Sequence, residues 1–158
     1  MAFSSHTIFF DLGNTLVSRI GDQHRLYRDA PETLKALYDR GYRMGVLSNL
    51  EGDITADDVY EFLKECGIAS YIEYDLITIS CALPGNIQKP DKRIFDLALK
   101  KSGLSKAGDE SIFVTEEMEH ILAARRYGWR AILKRNWGEC RPEDGECVNS
   151  LSGLLKLL

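Results

Sequence analysis

The chain has 158 residues, 44% hydrophobic and 28% charged, enough for one domain that hides roughly two thirds of the surface its unfolded chain exposes. That composition excludes a disordered, collagen-like or fibrous protein. A formal charge of -4 removes the electrostatic case for a nucleic-acid binder, and no apolar run is long enough to span a bilayer, so neither nucleic acid nor membrane is an expected partner.

In chain order, the residues from His6 to Asp11 form an almost uninterrupted apolar run that suits a strand buried on both faces and ends on a carboxylate. Pro31 opens a helix with Leu34, Leu37 and Tyr38 on one face, and Gly41 closes it before a second apolar strand from Met44 to Ser48. Residues 55–66 read as a helix with Val59, Phe62 and Leu63 inward, followed by a short strand over 76–80. After a turn-rich stretch, Asp91 is placed to cap a helix carrying Ile94, Phe95 and Ala98. A fourth strand covers 111–115, and its helix carries Met118, Ile121 and Leu122. A fifth strand covers 130–133, and the tail is a short amphipathic helix. Five strands alternating with helices predict a single α/β domain over 1–158, a doubly wound parallel sheet that binds ligands at the carboxyl ends of its strands.

Other features read as ordinary structure. The start, Met1 to His6, lacks the basic and apolar regions of a secretory leader, which makes a cytoplasmic protein the expectation. The four cysteines, Cys66, Cys81, Cys140 and Cys147, are scattered and read as free thiols. The basic pairs Lys92-Arg93, Lys100-Lys101, Arg125-Arg126 and Lys134-Arg135 read as solvated surface. Trp129 and Trp137 are expected to pack in the core or a surface groove.

Polar residues gather at the expected ligand edge: Asp11 after the first strand, Ser48 and Asn49 after the second, Thr115 and Glu116 after the fourth, with Lys89 just before a capped helix. A carboxylate nucleophile, a hydroxyl, a cation and a second carboxylate suit phosphoryl transfer through an aspartyl phosphate. These residues fall in four ordered segments: Phe9-Phe10-Asp11-Leu12-Gly13-Asn14-Thr15-Leu16, Leu47-Ser48-Asn49, Lys89-Pro90-Asp91 and Val114-Thr115-Glu116-Glu117. In that order they resemble motifs I to IV of the haloacid dehalogenase (HAD) superfamily over nearly the whole chain.

The resemblance implies a Rossmann-like catalytic core acting as a Mg²⁺-dependent phosphohydrolase. Asp11 is then the nucleophile and a metal ligand, the Gly13 carbonyl and Glu116 complete the protein's share of the metal site, Ser48 and Asn49 hold the phosphoryl group, and Lys89 neutralises charge on nucleophile and phosphate. Mg²⁺ takes six oxygens, the remainder coming from substrate and water.

Two departures bear on chemistry. The second Asp of motif I, the superfamily's general acid and base, is replaced by Gly13, so good leaving groups are favoured. In motif IV, Glu116 stands for Asp, and His120 stands where a later acid is usual. Glu116, Glu117 and Glu119 also fit the first turn of a helix as ordinary acids, and His120 fits a surface or helix-face histidine. An inactive HAD-like binding or assembly module is therefore the second expectation. The spacings leave no room for a cap domain, which implies an open site for a phosphorylated small molecule or an exposed macromolecular group, or a homo-oligomer that covers it.

Overall fold

The structure is a computed structural model that describes residues 6–158; the reading of residues 1–5 as carrying no leader lies outside the described residues. Among the described residues no helix is long and apolar enough to cross a membrane. The strands are β1 (Thr7–Phe10), β2 (Val17–Ile20), β3 (Gln23–Leu26), β4 (Arg43–Ser48), β5 (Ile77–Ile79), β6 (Ser111–Thr115), β7 (Arg130–Lys134) and β8 (Cys147–Val148). The helices are α1 (Ala30–Asp39), α2 (Ala56–Glu65), α3 (Lys92–Ser102), α4 (Met118–Arg126) and α5 (Leu154–Leu157).

A six-stranded parallel sheet runs in the order β5-β4-β1-β6-β7-β8. The fully buried β1 lies in its middle because every residue from Thr7 to Phe10 faces protein. Successive side chains split between the two layers, as the period of two requires. Ile8 and Phe10 pack with Leu34, Leu37, Val59 and Leu154, while Phe9 packs with Phe95, Phe113, Ile121 and Trp129.

The helix starts carry their own signals. Thr55 and Asp58 form a reciprocal capping box on α2, and Asp91 accepts the Arg93 N–H at the start of α3 (2.9 Å).

Several expectations are corrected. The sheet has six strands, not five, because the two-residue β8 closes its edge beside β7; so short a segment has no apolar period to read. The stretch between β1 and α1 is an antiparallel hairpin, β2–β3, turning at Gly21 (φ +61°); among the described residues this hairpin is all that stands at that insertion point. Cys140 and Cys147 form a disulfide, whereas Cys66 and Cys81 are free. Trp129 is buried, but Trp137 is 76% exposed and packs into neither core nor groove.

Gly45 of β4 faces Leu76 so closely that an added Cβ would sit 2.5 Å from the Leu76 Cβ and carbonyl oxygen. Gly45→Ala is therefore expected to cost about 1–3 kcal/mol of stability, read by urea unfolding; an unchanged midpoint would contradict the close approach.

Candidate active site

The connections reverse direction about β1: the chain runs from β1 out to β4 and β5, then returns to β6 on the opposite side. This is the switch point at which parallel sheets open a crevice beyond their carboxyl ends. The register pairs Phe10 with Val46 on one flank and Val114 on the other. The next residue of the central strand, Asp11, therefore emerges between Ser48, which ends β4, and Thr115, which ends β6.

Both Asp11 oxygens are held. Oδ1 accepts the Leu12 N–H (2.8 Å) and the Ser48 hydroxyl (3.1 Å), and Oδ2 accepts the Thr115 hydroxyl (2.9 Å). The Lys89 Nζ lies 3.1 Å from Oδ2. Lys89 is only 2% exposed, with its ammonium 5.0 Å above the Phe113 ring. The contact with Asp11 is an ion pair without hydrogen-bond alignment, so the Nζ donors remain unfilled among the described residues. Burial pushes the Lys89 ammonium down from its ordinary range, and the Asp11 charge opposes that shift.

Asn49 sits beside the site, but its side chain is engaged with the chain itself. Its amide donates to the Lys89 carbonyl (3.0 Å) and accepts the Lys89 N–H (2.8 Å). Tyr127 donates to the next carbonyl, that of Pro90 (2.7 Å). The Asn49 side chain thus positions Lys89, which leaves its backbone amide for the expected phosphate contact.

A cleft of about 580 Å³ opens over Asp11, and its walls include Gly13, Asn14, Ser48, Asn49, Lys89 and Glu116. All the residues predicted for the site therefore share one cavity. Glu117, His120 and, from the hairpin, His24 line it as well. His120 is buried rather than on the surface. Burial and the Lys89 charge lower its pKa, and its Nδ1 has no partner among the described residues. Burial and the charges of Glu117 and Asp11 raise the Glu116 carboxyl.

Four carboxylates, Asp11, Asp58, Glu116 and Glu117, thus line a cleft in which Lys89 is the only lysine or arginine among the described residues. That excess of hard oxygen donors fits a divalent cation such as Mg²⁺. Among the described residues no three His, Cys, Asp or Glu side chains form a metal cluster by themselves. An ion here would draw on carbonyl, water and substrate oxygens as well, and Gly13 lines the same cleft.

A second buried cation supports the loop after β1. The Leu12 carbonyl accepts the N–H groups of Thr15, Leu16 and Val17, while Asn14 turns through φ +58°. The Asn14 carbonyl accepts the Asn136 amide (2.7 Å) and faces the Lys134 Nζ (3.5 Å). Lys134 also donates to Asn136 (2.7 Å) and lies 3.3 Å above the Tyr27 ring. Lys134 is thus 2% exposed, not solvated as its basic pairing suggested, and only its position on the terminal residue of β7 could have revealed it. Thr115 carried the signal of a strand end, but not that it would face the same carboxylate as Ser48.

Residues 8–134 match the family model for haloacid dehalogenase-like hydrolase, and the chain belongs to that family. An uncharacterised protein from Listeria monocytogenes serotype 4b is similar over almost its whole length, with a TM-score of 0.79 and 26% identity over 96% of this chain and 97% of that one. A dehalogenase is similar with a TM-score of 0.68 and 27% identity over 86% of this chain and 57% of that one. A predicted phosphoglycolate phosphatase from Haemophilus somnus 129pt shares the fold, with a TM-score of 0.67 and 23% identity over 87% of this chain and 59% of that one. The chain thus spans little more than half the length of the dehalogenase and of the phosphatase. No curated protein matches it.

Burial lowers the pKa of Lys134 from 10.5 to about 8. Between those values the unfolded chain binds more protons than the folded protein, so this residue makes stability rise with pH through that window. Unfolding by urea at about pH 7 and about pH 10 is expected to show that rise in the wild type and to lack its Lys134 share in Lys134→Met; an identical rise in both proteins would contradict the assignment.

Proposed function

We propose that the chain is a Mg²⁺-dependent phosphohydrolase that works through a phosphoaspartate at Asp11. The observation that carries this reading is a carboxylate oriented by three protein donors at the switch point and ion-paired to a buried lysine whose remaining donors are unfilled. An Asp11 oxygen bonds to phosphorus while the P–O bond to the leaving group breaks and that oxygen departs with the electron pair. Water then bonds to phosphorus, the Asp11–phosphorus bond breaks, and the water's proton passes to solvent or to the departed oxygen. The net change consumes one water.

Ser48 and Thr115 fix the carboxylate in both steps, which removes the cost of orienting it. Lys89 balances the charge of Asp11 at rest and turns its unfilled donors toward the phosphoryl oxygens in the transition state, where a preorganised cation contributes most. Asn49 keeps Lys89 in reach through its backbone. Asp11, the Gly13 carbonyl and Glu116 would hold the metal, which supplies positive charge against a dianionic phosphoryl group in an acid-lined cleft.

Gly13 supplies no proton. Nothing lies within 4 Å of a Cβ built there, and its φ is ordinary, so the position has room for the absent acid.

With Mg²⁺ and an aryl phosphate, Asp11→Asn is expected to abolish turnover, and equal rates in both proteins would overturn the phosphoaspartate. For the wild type, rates should fall steeply as leaving-group pKa rises. Gly13→Asp should raise turnover of alkyl phosphates by about a hundredfold or more; a flat wild-type dependence would show that another group supplies the proton.

A further inference from the structure

We infer that the substrate is an aryl phosphate whose leaving group is uncharged and apolar, seated on a hydrocarbon wall formed by Leu50, Ile54, Val59 and Phe62; this rests on the phosphohydrolase reading for its phosphoryl end. These four residues line the same cleft as Asp11, Ser48 and Lys89. A phosphoryl group held at Asp11 therefore places its ester substituent in the rest of that cavity.

The wall offers little to a polar substituent. The Leu50 N–H is taken by the Ser80 hydroxyl oxygen (2.9 Å), and its carbonyl accepts the same hydroxyl (2.8 Å). The Ile54 carbonyl accepts the Cys81 thiol (3.1 Å). Asp58, the one carboxylate on this side, turns Oδ2 back to the Thr55 N–H (2.9 Å) and hydroxyl (3.0 Å) at the start of α2. On this wall the Leu50 N–H and carbonyl, the Ile54 carbonyl and Asp58 Oδ2 are thus already engaged, and a sugar or polyol hydroxyl left unpaired on the hydrocarbon there is disfavoured. Ile54 remains 39% exposed, an apolar rim with surface to cover.

Charge and proton supply narrow the class further. Glu116 and Glu117 join Asp11 around one lysine, so a second anionic group on the substrate meets like charge. Gly13 gives no proton to the departing oxygen, which favours one that leaves as a stabilised anion. A phenolic oxygen on an uncharged ring satisfies both conditions and fills an apolar wall.

The test compares 2-naphthylmethylphosphonate with methylphosphonate by calorimetry in the presence of Mg²⁺, using the wild type, Ile54→Asn and Phe62→Ala. The naphthyl compound is expected to bind at least about tenfold more tightly to the wild type, the gain typical of a modest apolar contact, and this ratio should collapse in both variants. Ile54→Asn alters an exposed position, so it reports even if Phe62→Ala weakens folding. Equal affinities in the wild type, or a ratio that survives in Ile54→Asn, would overturn the inference. Kinetics on 2-naphthyl and 4-carboxyphenyl phosphates should favour the uncharged ester about tenfold or more in kcat/KM, and a preference for the charged one overturns it. Wall-dependent phosphonate binding without hydrolysis of any ester would instead overturn the phosphohydrolase reading and support the ligand class.

Discussion

The Asp11–Lys89 pair is the constraint around which the site is arranged. Two charges withdrawn from water are tolerated only when their geometry and remaining hydrogen bonds compensate, and losing one partner of such a pair typically costs about 3–5 kcal/mol. Here the compensation comes from three strand ends and a loop: Leu12 and Ser48 on one oxygen, Thr115 on the other, and Asn49 holding the backbone of Lys89. None of these contacts is local to Lys89 in sequence. They exist because the apolar run before Asp11 puts β1 in the middle of the sheet, where its neighbours must end beside it.

Lys134 plays the corresponding structural part below the loop after β1. It meets the Asn14 carbonyl together with Asn136 while resting on Tyr27, so the loop that carries Gly13 is fixed from the end of β7. The cleft above has the opposite sign, with Glu116 and Glu117 beside Asp11. Burial, together with that imbalance, raises the Glu116 carboxyl, and a divalent cation would relieve the imbalance. On the far side the same cleft is lined by Leu50, Ile54, Val59 and Phe62, and loop and capping contacts engage the Leu50 N–H and carbonyl, the Ile54 carbonyl and Asp58 Oδ2.

The site was legible in the sequence wherever a residue's place on a strand end determined its role. Asp11, Ser48 and Glu116 share one cleft because each stands at the end of a strand whose apolar pattern was unambiguous, and Lys89 joins them from the turn before the capped helix α3. What could not be read depended on contacts between distant segments. The Asn49 side chain pairs with the backbone of Lys89, forty residues away, a contact that leaves the expected role of its backbone amide untouched. Lys134 resembled a surface lysine because its neighbour is Arg135, yet the sheet turns it inward. β8 and the Cys140–Cys147 disulfide arise together at an edge too short to show periodicity. The β2–β3 hairpin did leave a mark, since Gly21-Asp22 is a two-residue turn signal between Ile20 and Gln23.

The most direct measurement is chemical capture of the intermediate. The protein is mixed with an aryl phosphate and Mg²⁺, quenched within a single turnover and reduced with borohydride, and the peptide containing residue 11 is examined by mass spectrometry. A phosphoaspartate at Asp11 predicts that this residue is recovered as homoserine, and only when substrate was present. Turnover with Asp11 recovered unchanged, or with the modification on another residue, would contradict the account.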